Sequence, residues 1–466
     1  MFPQEFERSV NAELGEAEAG RLLAALDGRP VTSIRYNPFK LSAMPTAEGG
    51  GLPCGNPVPW NRYGAYLAAR PVFTLDPAMH AGLYYVQEAS SQFVEHLLRE
   101  SLTDRDGELP GNIRLLDLCA APGGKTTLYS TLAGPEGLVV ANEVVKQRAS
   151  VLADNVRRWG VGNVAVTCNE PRDFAAYKHW FDVLAVDAPC SGEGMFRRLP
   201  ESRSEWSPAG VEMCASRGRG ILADAWDALK PGGILIYSTC TFNRRENEET
   251  VAWLAENYAV EPVAVDVPEE WGVVCGDAAG IRTFRFWPHL ARGEGFFAAV
   301  MRKADGRVKR ETPRARKEPL VEMNRPESKP LAEWVNTPEA MKFARVGDNC
   351  YGYYRPVYRD VVALAGGLNV IYSGVCMGRI FNGKLRPDHA LALFHDLAPG
   401  CGTASKTEIT RDETLDYLRK KEFADPSRLA EGLNLLTHGG VPVGWTKRVG
   451  HRSNTMLPNS FRIVNL

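Results

Sequence analysis

Two cysteines in this chain are placed for chemistry: Cys190 in DAPCSGEG and Cys240 in YSTCTFNRRENEE, each just beyond an apolar strand-like run and 50 residues apart. A thiolate is the side chain suited to attack carbon 6 of a pyrimidine. That addition turns the ring into an enamine, so that carbon 5, otherwise a poor nucleophile, can take a methyl group. The adduct breaks only when carbon 5 gives up its proton, so a base must stand nearby. Asp187 opens the first motif at the carboxyl end of its run, where open α/β sheets bind ligands, and its carboxyl group can hydrogen-bond the N3 and amino edge of cytosine. Both cysteines follow strand ends, and spacing alone leaves open which of them attacks.

A third motif, LDLCAAPGGKTT, reads as a strand, a Gly-Gly turn and a helix start, with Cys119 to Thr126 as the loop. Missing Cβ atoms let a ligand approach the backbone, and the helix N-terminus offers unpaired N–H groups to a cofactor carboxylate. A phosphate loop competes for this reading through Gly124, Lys125 and Thr126. GxxxxGK[ST] requires glycine at position 119, however, and Cys119 stands there. Glu143 ends the second strand about 20 residues after the loop, where an acidic side chain accepts ribose hydroxyls. Glu170, after the third strand, is placed to face the base of a nucleoside cofactor. Amino-group methylases of this broad fold usually carry an Asp/Asn-Pro-Pro-aromatic tetrapeptide where DAPC stands, so DAPC argues for carbon 5. No CxxC pair occurs and none of the eight histidines has a paired spacing, so no metal is expected.

The elements that must hold these motifs alternate short apolar runs with helix-like stretches from Ile113 to Met301, the pattern of a parallel α/β sheet. Strands are expected near Ile113 to Leu118, Leu138 to Asn142, Val164 to Cys168, Val183 to Asp187, Ile234 to Ser238 and Phe296 to Met301. Helices are expected from Lys125, over Lys146 to Trp159, and over Glu212 to Leu229, the last ended by a turn at Lys230 to Gly233. Pro and Gly interrupt residues 1 to about 100, an N-terminal lobe closing with a helix that opens at Glu88 to Ser91. Residues 303–330 hold nine Lys or Arg against five Asp or Glu, with four prolines, and read as an exposed linker. Beyond it, short strands and glycine turns read as a β-rich module.

With 466 residues, 44% apolar and 24% charged, the chain is globular and multidomain. A net charge of -1 means that any grip on nucleic acid comes from local basic surface. Arg197 and Arg198 follow the Asp187 motif, and Arg244 and Arg245 follow the Cys240 motif, so both pairs are placed to hold phosphates at a pocket mouth; solvated charge is the bland alternative. Lys447 and Arg448, with His451 and Arg452, form a basic cluster on an expected turn. The start MFPQEFERSV is no leader, no run of about 18 apolar residues occurs, and a soluble, cytoplasmic protein with reduced thiols is expected. Cys54, Cys214 and Cys401 read as buried small hydrophobes.

In this order, LCAAPGGKTT, ANE, VDAPCSGEGMFR and YSTCTFNRRENEE resemble the Sun (Nol/Nop) family of RNA cytosine-5 methyltransferases. The resemblance implies an α/β, Rossmann-like methyltransferase core and assigns Cys240 as nucleophile, with Cys190 assisting breakdown of the adduct. It implies S-adenosylmethionine as cofactor, contacted by Cys119, Ala120, Ala121, Pro122, Gly123, Gly124, Lys125, Glu143, Arg148, Glu170 and Asp187. Lys125 is expected to orient Asp187 or the cofactor carboxylate. Relatives usually carry Asp at the position of Glu170, a departure. GLYYVQEASS (82–91) and RFWPHLARGEGFF (285–297) are similar to flanking motifs of the bacterial RsmF branch, whose members modify small-subunit ribosomal RNA. GVCMGRIFNGKLRPDHALAL (374–393) and GVPVGWTKRVG (440–450), with Asn454, Pro458 and Arg462, resemble its PUA-like RNA-binding domain.

The expected organisation is an N-terminal RNA-binding lobe (1–100), the catalytic domain (101–302), the linker (303–330), an intermediate segment (331–373) and the PUA-like domain (374–466). The substrate implied is 16S ribosomal RNA, handled by a monomer. A tRNA cytosine-5 methyltransferase, a non-catalytic ribosome assembly factor that binds RNA, and a triphosphatase are the alternatives.

Overall fold

The computed structural model describes residues 1–45, 52–103, 109–304, 306, 319–400 and 402–464. Its centre is a ten-stranded mixed sheet. In chain order the sheet and its crossovers are β1 (Arg114–Asp117), α1 (Gly124–Ala133), β2 (Leu138–Asn142), α2 (Lys146–Trp159), β3 (Val164–Thr167), β4 (Phe181–Asp187), α3 (Pro208–Ala225) and β5 (Leu229–Thr239). There follow α4 (Glu248–Asn257), β6 (Val274–Ala278), β7 (Ile281–Phe286), β8 (Phe296–Lys303) and, far along the chain, β9 (Val370–Ser373). The spatial order is β6-β7-β8-β5-β4-β1-β2-β3-β9, with a tenth short strand, Val260–Pro262, pairing with the end of β8 off this path; β1 to β5 are mutually parallel and β8 is antiparallel to β5. Every residue of β2 and β3 is buried, as befits strands covered on both faces. Helix α2 buries one stripe, Ala149, Leu152, Ala153, Val156 and Trp159, and ends at Gly160, whose φ of 78° suits a residue without a Cβ.

The expected strands and the α2 range are present, with two shifts. Helix α3 begins earlier than expected because the Ser207 hydroxyl accepts the Gly210 N–H and Pro208 fits the first helical turn. The turn expected at Lys230 to Gly233 lies inside β5: the register to β4 slips between Phe181↔Leu229 and Val183↔Ile234, so these residues form a bulge.

In the N-terminal lobe, two helices (Gln4–Leu14 and Glu16–Leu26) precede a four-stranded sheet. Buried Arg35 joins this lobe to the core: it donates to Gly124 O and Thr127 Oγ1 at 3.1 and 2.6 Å and lies over the Trp159 ring. The expected boundary at residue 100 falls inside the helix Val94–Leu102. At the other end, much of the expected linker lies outside the described residues, and a helix spans Arg325–Ala332. The boundary expected at 373/374 also does not separate two units. Strand Asn349–Tyr354 pairs with Val375–Phe381 across it, and β9, just before it, pairs with β3 of the central sheet. A further four-stranded sheet covers residues 405–455.

Candidate active site

Strand order reverses between β1 and β4, and a crevice beyond the carboxyl ends of such strands is the place where α/β sheets bind ligands. In the β4–β5 register Asp187 faces Ser238, so the two strands leave the sheet side by side. Three residues beyond Asp187 and two beyond Ser238, the cysteines meet: Cys190 Sγ and Cys240 Sγ are 3.0 Å apart, and the Cys240 N–H points to Cys190 Sγ at 3.3 Å. Both are free thiols. Hydrogen bonding to Cys240, together with burial, pushes the Cys190 thiol well above its ordinary range, and either sulfur can be the donor in their contact.

Beside the thiols, Lys125 Nζ lies 2.8 Å from Asp187 Oδ2, while the Ser238 hydroxyl donates to Asp187 Oδ1 at 2.8 Å. Burial alone would lower the lysine; the facing Asp187 carboxylate outweighs it and holds Lys125 above its ordinary range. Asp117 at the end of β1 accepts from the Thr126 hydroxyl at 2.6 Å, and burial pushes it up to about 7. Gly123 turns the chain into α1 with φ of 112°, and no side chain caps that helix. The cavity in front of the uncapped N-terminus is lined by Asp117, Cys119, Ala120, Ala121, Pro122, Gly124, Lys125 and Asp187, and by Tyr85 to Glu88 and Ser91 from the N-terminal segment. Exposed helix N–H groups, an ammonium and a pocket wall of this kind fit a nucleoside cofactor bearing a carboxylate. Glu143 is buried at the end of β2; Arg148 ties it to the loop, pairing with its carboxylate at 3.2 Å and donating to Ala121 O at 3.1 Å. Glu170 is exposed beyond β3 and is not among the residues lining the cavity.

The expected phosphate contacts divide. Arg197 is buried and ion-paired with Glu294 at 2.8 Å, so it cannot also hold RNA at the surface; Arg198 beside it is half-buried. Arg244 and Arg245 are exposed but do not line this cavity; Arg244 lies 3.5 Å from Glu13, and Arg245 pairs with Glu212 and Glu249. Lys447 and Arg448 lie on a strand, Val441–Val449, and not on a turn. Arg448 is half-buried because its guanidinium donates to Leu429 O and Gly450 O, at 2.6 and 2.8 Å. Cys54 and Cys214 are half-exposed, whereas Cys350 and Cys376 are buried; Cys401 lies outside the described residues.

Sequence reasoning missed the second layer under the thiols, namely Ser191, Glu193, Asn243 and Glu246. Their signal was present, since all four sit inside the two cysteine motifs. It also missed the wall from Tyr85 to Glu88, which belongs to the flanking motif 82–91. Among the described residues no cluster of three or more His, Cys, Asp or Glu could hold a metal, and no helix is long and apolar enough to cross a membrane.

Comparison with known proteins matches three family descriptions in sequence order. These are the N-terminal domain of 16S rRNA methyltransferase RsmF at residues 2–89, 16S rRNA methyltransferase RsmB/F at 106–302, and the methyltransferase RsmF PUA domain at 404–463. The chain is 33% identical over 390 residues to ribosomal RNA small subunit methyltransferase F of Shewanella amazonensis, covering 81% of this chain and 79% of that protein. It is 32% identical over 448 residues to the protein of the same name from Escherichia coli, covering 91% and 89%. Among solved structures, a methyltransferase homolog protein from Pyrococcus horikoshii aligns at TM-score 0.53 and 27% identity, over 65% of this chain and 95% of that one. NSun6 from Pyrococcus horikoshii, solved with SFG, aligns at TM-score 0.50 and 20% identity over 66% and 99%, a likeness of fold.

Proposed function

The chain belongs to the RsmB/F family of 16S ribosomal RNA methyltransferases, in its RsmF branch, and from that premise we propose that it methylates carbon 5 of a cytosine in 16S ribosomal RNA through a transient bond from Cys240 to carbon 6. The observation that carries this reading is the pair of thiols 3.0 Å apart beside the Lys125–Asp187 pair at the switch point of the sheet. The uncapped helix N-terminus, Lys125 and the Cys119–Gly124 loop would hold S-adenosylmethionine, which would supply an electrophilic methyl group and leave as the neutral thioether.

The target base leaves its stack to enter the cleft. Asp187, oriented by Lys125 and Ser238, accepts the N–H of the exocyclic amino group and fixes the ring over Cys240. The Cys240 thiolate forms the Sγ–C6 bond, and the electron pair displaced from the C5–C6 double bond makes carbon 5 nucleophilic. After methylation carbon 5 gives up its proton to a base in the cleft, the Sγ–C6 bond breaks, and its electron pair returns to Cys240. Cys190, held as a thiol, donates its S–H toward the departing sulfur and speeds that departure. The PUA domain and the exposed Arg244 and Arg245 serve RNA binding in this reading.

Nucleoside analysis of unmodified 16S ribosomal RNA after incubation with the protein and S-adenosylmethionine tests it. 5-Methylcytidine should form with the native protein and not with Cys240→Ala, whereas Cys190→Ala should accumulate a denaturation-resistant RNA adduct. RNA binding without any methylated nucleoside would sink the reading.

A further inference from the structure

Two buried carboxylates tie together the loops that carry Cys190 and Cys240, each reaching from its own loop into the other. Glu246, six residues beyond Cys240, accepts the Ser191 backbone N–H at 2.9 Å and the Ser191 hydroxyl at 2.5 Å. Glu193, three residues beyond Cys190, accepts the N–H groups of Phe242 and Asn243 at 2.8 and 2.9 Å on one oxygen. The Trp206 indole donates to its other oxygen at 3.0 Å. Asn243 joins the two acids, its amide donating to Glu246 Oε1 at 2.7 Å and Glu193 Oε1 at 3.0 Å. Gly194 N–H donates to Cys240 O at 2.9 Å, a contact so close that a Cβ at position 194 would lie 2.8 Å from that oxygen.

Both carboxylates are almost fully buried, at 2% for Glu193 and 1% for Glu246, and neither has an Arg or Lys within ion-pair distance among the described residues. Burying two uncompensated acids side by side is costly, and burial raises Glu246 with Glu193 adding to the effect. Apart from the Trp206 indole, every donor named above is a backbone or side-chain group of the two cysteine loops, so most of the cost is spent on the relative position of those loops.

We propose that Glu193 and Glu246 are positioning residues, a reciprocal clamp that keeps Cys190 within reach of Cys240 so that the covalent RNA adduct can be released. The proposal rests on the covalent reading above and goes beyond it by separating the two half-reactions. Attack needs only Cys240, which continues directly from β5. Release needs Cys190 at the departing sulfur, and Cys190 is held there by its loop. Loosening the clamp therefore slows release more than attack, and the adduct accumulates even though both thiols are intact.

The test compares Glu246→Gln and Glu193→Gln with the native protein and Cys190→Ala, each incubated with unmodified 16S ribosomal RNA and S-adenosylmethionine and resolved by denaturing electrophoresis. A carboxamide keeps the shape but turns one of its two oxygens into a donor facing donors. The expected result is a denaturation-resistant adduct increased roughly tenfold over the native protein, the weight of one hydrogen bond to a charged acceptor, with the affinity for S-adenosylmethionine unchanged. A role in folding alone would lower thermal stability and methyl transfer together and trap nothing. Ser191→Ala, which removes a single hydroxyl from the clamp, is read in the same way should a carboxamide variant fail to fold. Trapping by Cys190→Ala but by none of the clamp variants overturns the clamp and leaves the covalent reading intact. A Cys190→Ala protein that traps nothing overturns both.

Discussion

Replacing Lys125 with Met deletes one ammonium group, keeps most of the side-chain volume, and so measures what the Lys125–Asp187 pair contributes. In the intact site Asp187 Oδ2 faces Lys125 Nζ at 2.8 Å, and Oδ1 accepts from Ser238. At that separation the Coulomb attraction is about 6 kcal/mol for an effective dielectric constant of about 20. Desolvation offsets much of it, and truncating one partner of a hydrogen-bonded buried charge pair costs about 2–5 kcal/mol. The lysine side chain is 14% exposed and the aspartate 35%, and solvent reaching the carboxylate puts the loss at the lower end. A loss of about 2 kcal/mol corresponds to roughly 30-fold in rate. Single-turnover methyl transfer to unmodified 16S ribosomal RNA, with S-adenosylmethionine saturating, reads this directly, and calorimetric titration of S-adenosylmethionine reads the affinity separately. A loss confined to affinity assigns Lys125 to the cofactor carboxylate. A change below about threefold in both quantities refutes the positioning of Asp187 by Lys125.

Three further outcomes follow from other parts of the fold. Asp117 binds its proton more tightly folded, at about 7, than unfolded, at 3.8, so its contribution to stability falls as pH rises between those values. The unliganded protein should therefore lose thermal stability between about pH 5 and 7 on this account, and Asp117→Asn should flatten the loss in a differential scanning series. Arg197→Ala, which strands Glu294 in the interior, should cost about 3–5 kcal/mol in denaturant unfolding. Its RNA affinity, measured on the folded protein, should keep the native salt dependence, because Arg197 neutralises no phosphate. Gly194→Ala would place a Cβ 2.6 Å from Gly295 O and 2.8 Å from Cys240 O. It should cost about 1–3 kcal/mol of stability and slow methyl transfer, whereas equal rates for the two proteins would show that the loop yields without moving Cys240.

The parallel half of the sheet was legible because its strands are locally apolar runs that stop at turn residues, and because the ligand-facing motifs stand at their carboxyl ends. Cys190 and Cys240 could be placed near one another from that pattern alone. What escaped depends on partners far away in the chain. The hairpin of β6 and β7 exposes much of β6, whose residues 274–277 give no buried stripe to read. Strand β9 reaches the central sheet from beyond the linker, and its pairing with β3 is invisible to local periodicity. Arg197 reads as surface charge until Glu294, 97 residues on, is seen beside it. Arg448 likewise looks like a free cation, although one of the carbonyl groups it bonds, Leu429 O, is supplied by a distant segment. Glu193 and Glu246 sit in plain view within the cysteine motifs. Neither lies in an apolar pattern, Glu193 standing between two glycines and Glu246 after Arg245, and only the meeting of the two loops reveals that they are buried.

The adduct formed by Cys190→Ala with unmodified 16S ribosomal RNA and S-adenosylmethionine, digested and sequenced by mass spectrometry, offers the most direct measurement of which atom attacks the base. The expected species is a cytidine methylated on carbon 5 and joined through carbon 6 to the peptide that contains Cys240. An adduct on any other residue, or a methyl group on the exocyclic amine, contradicts the assignment of Cys240 as the attacking thiol.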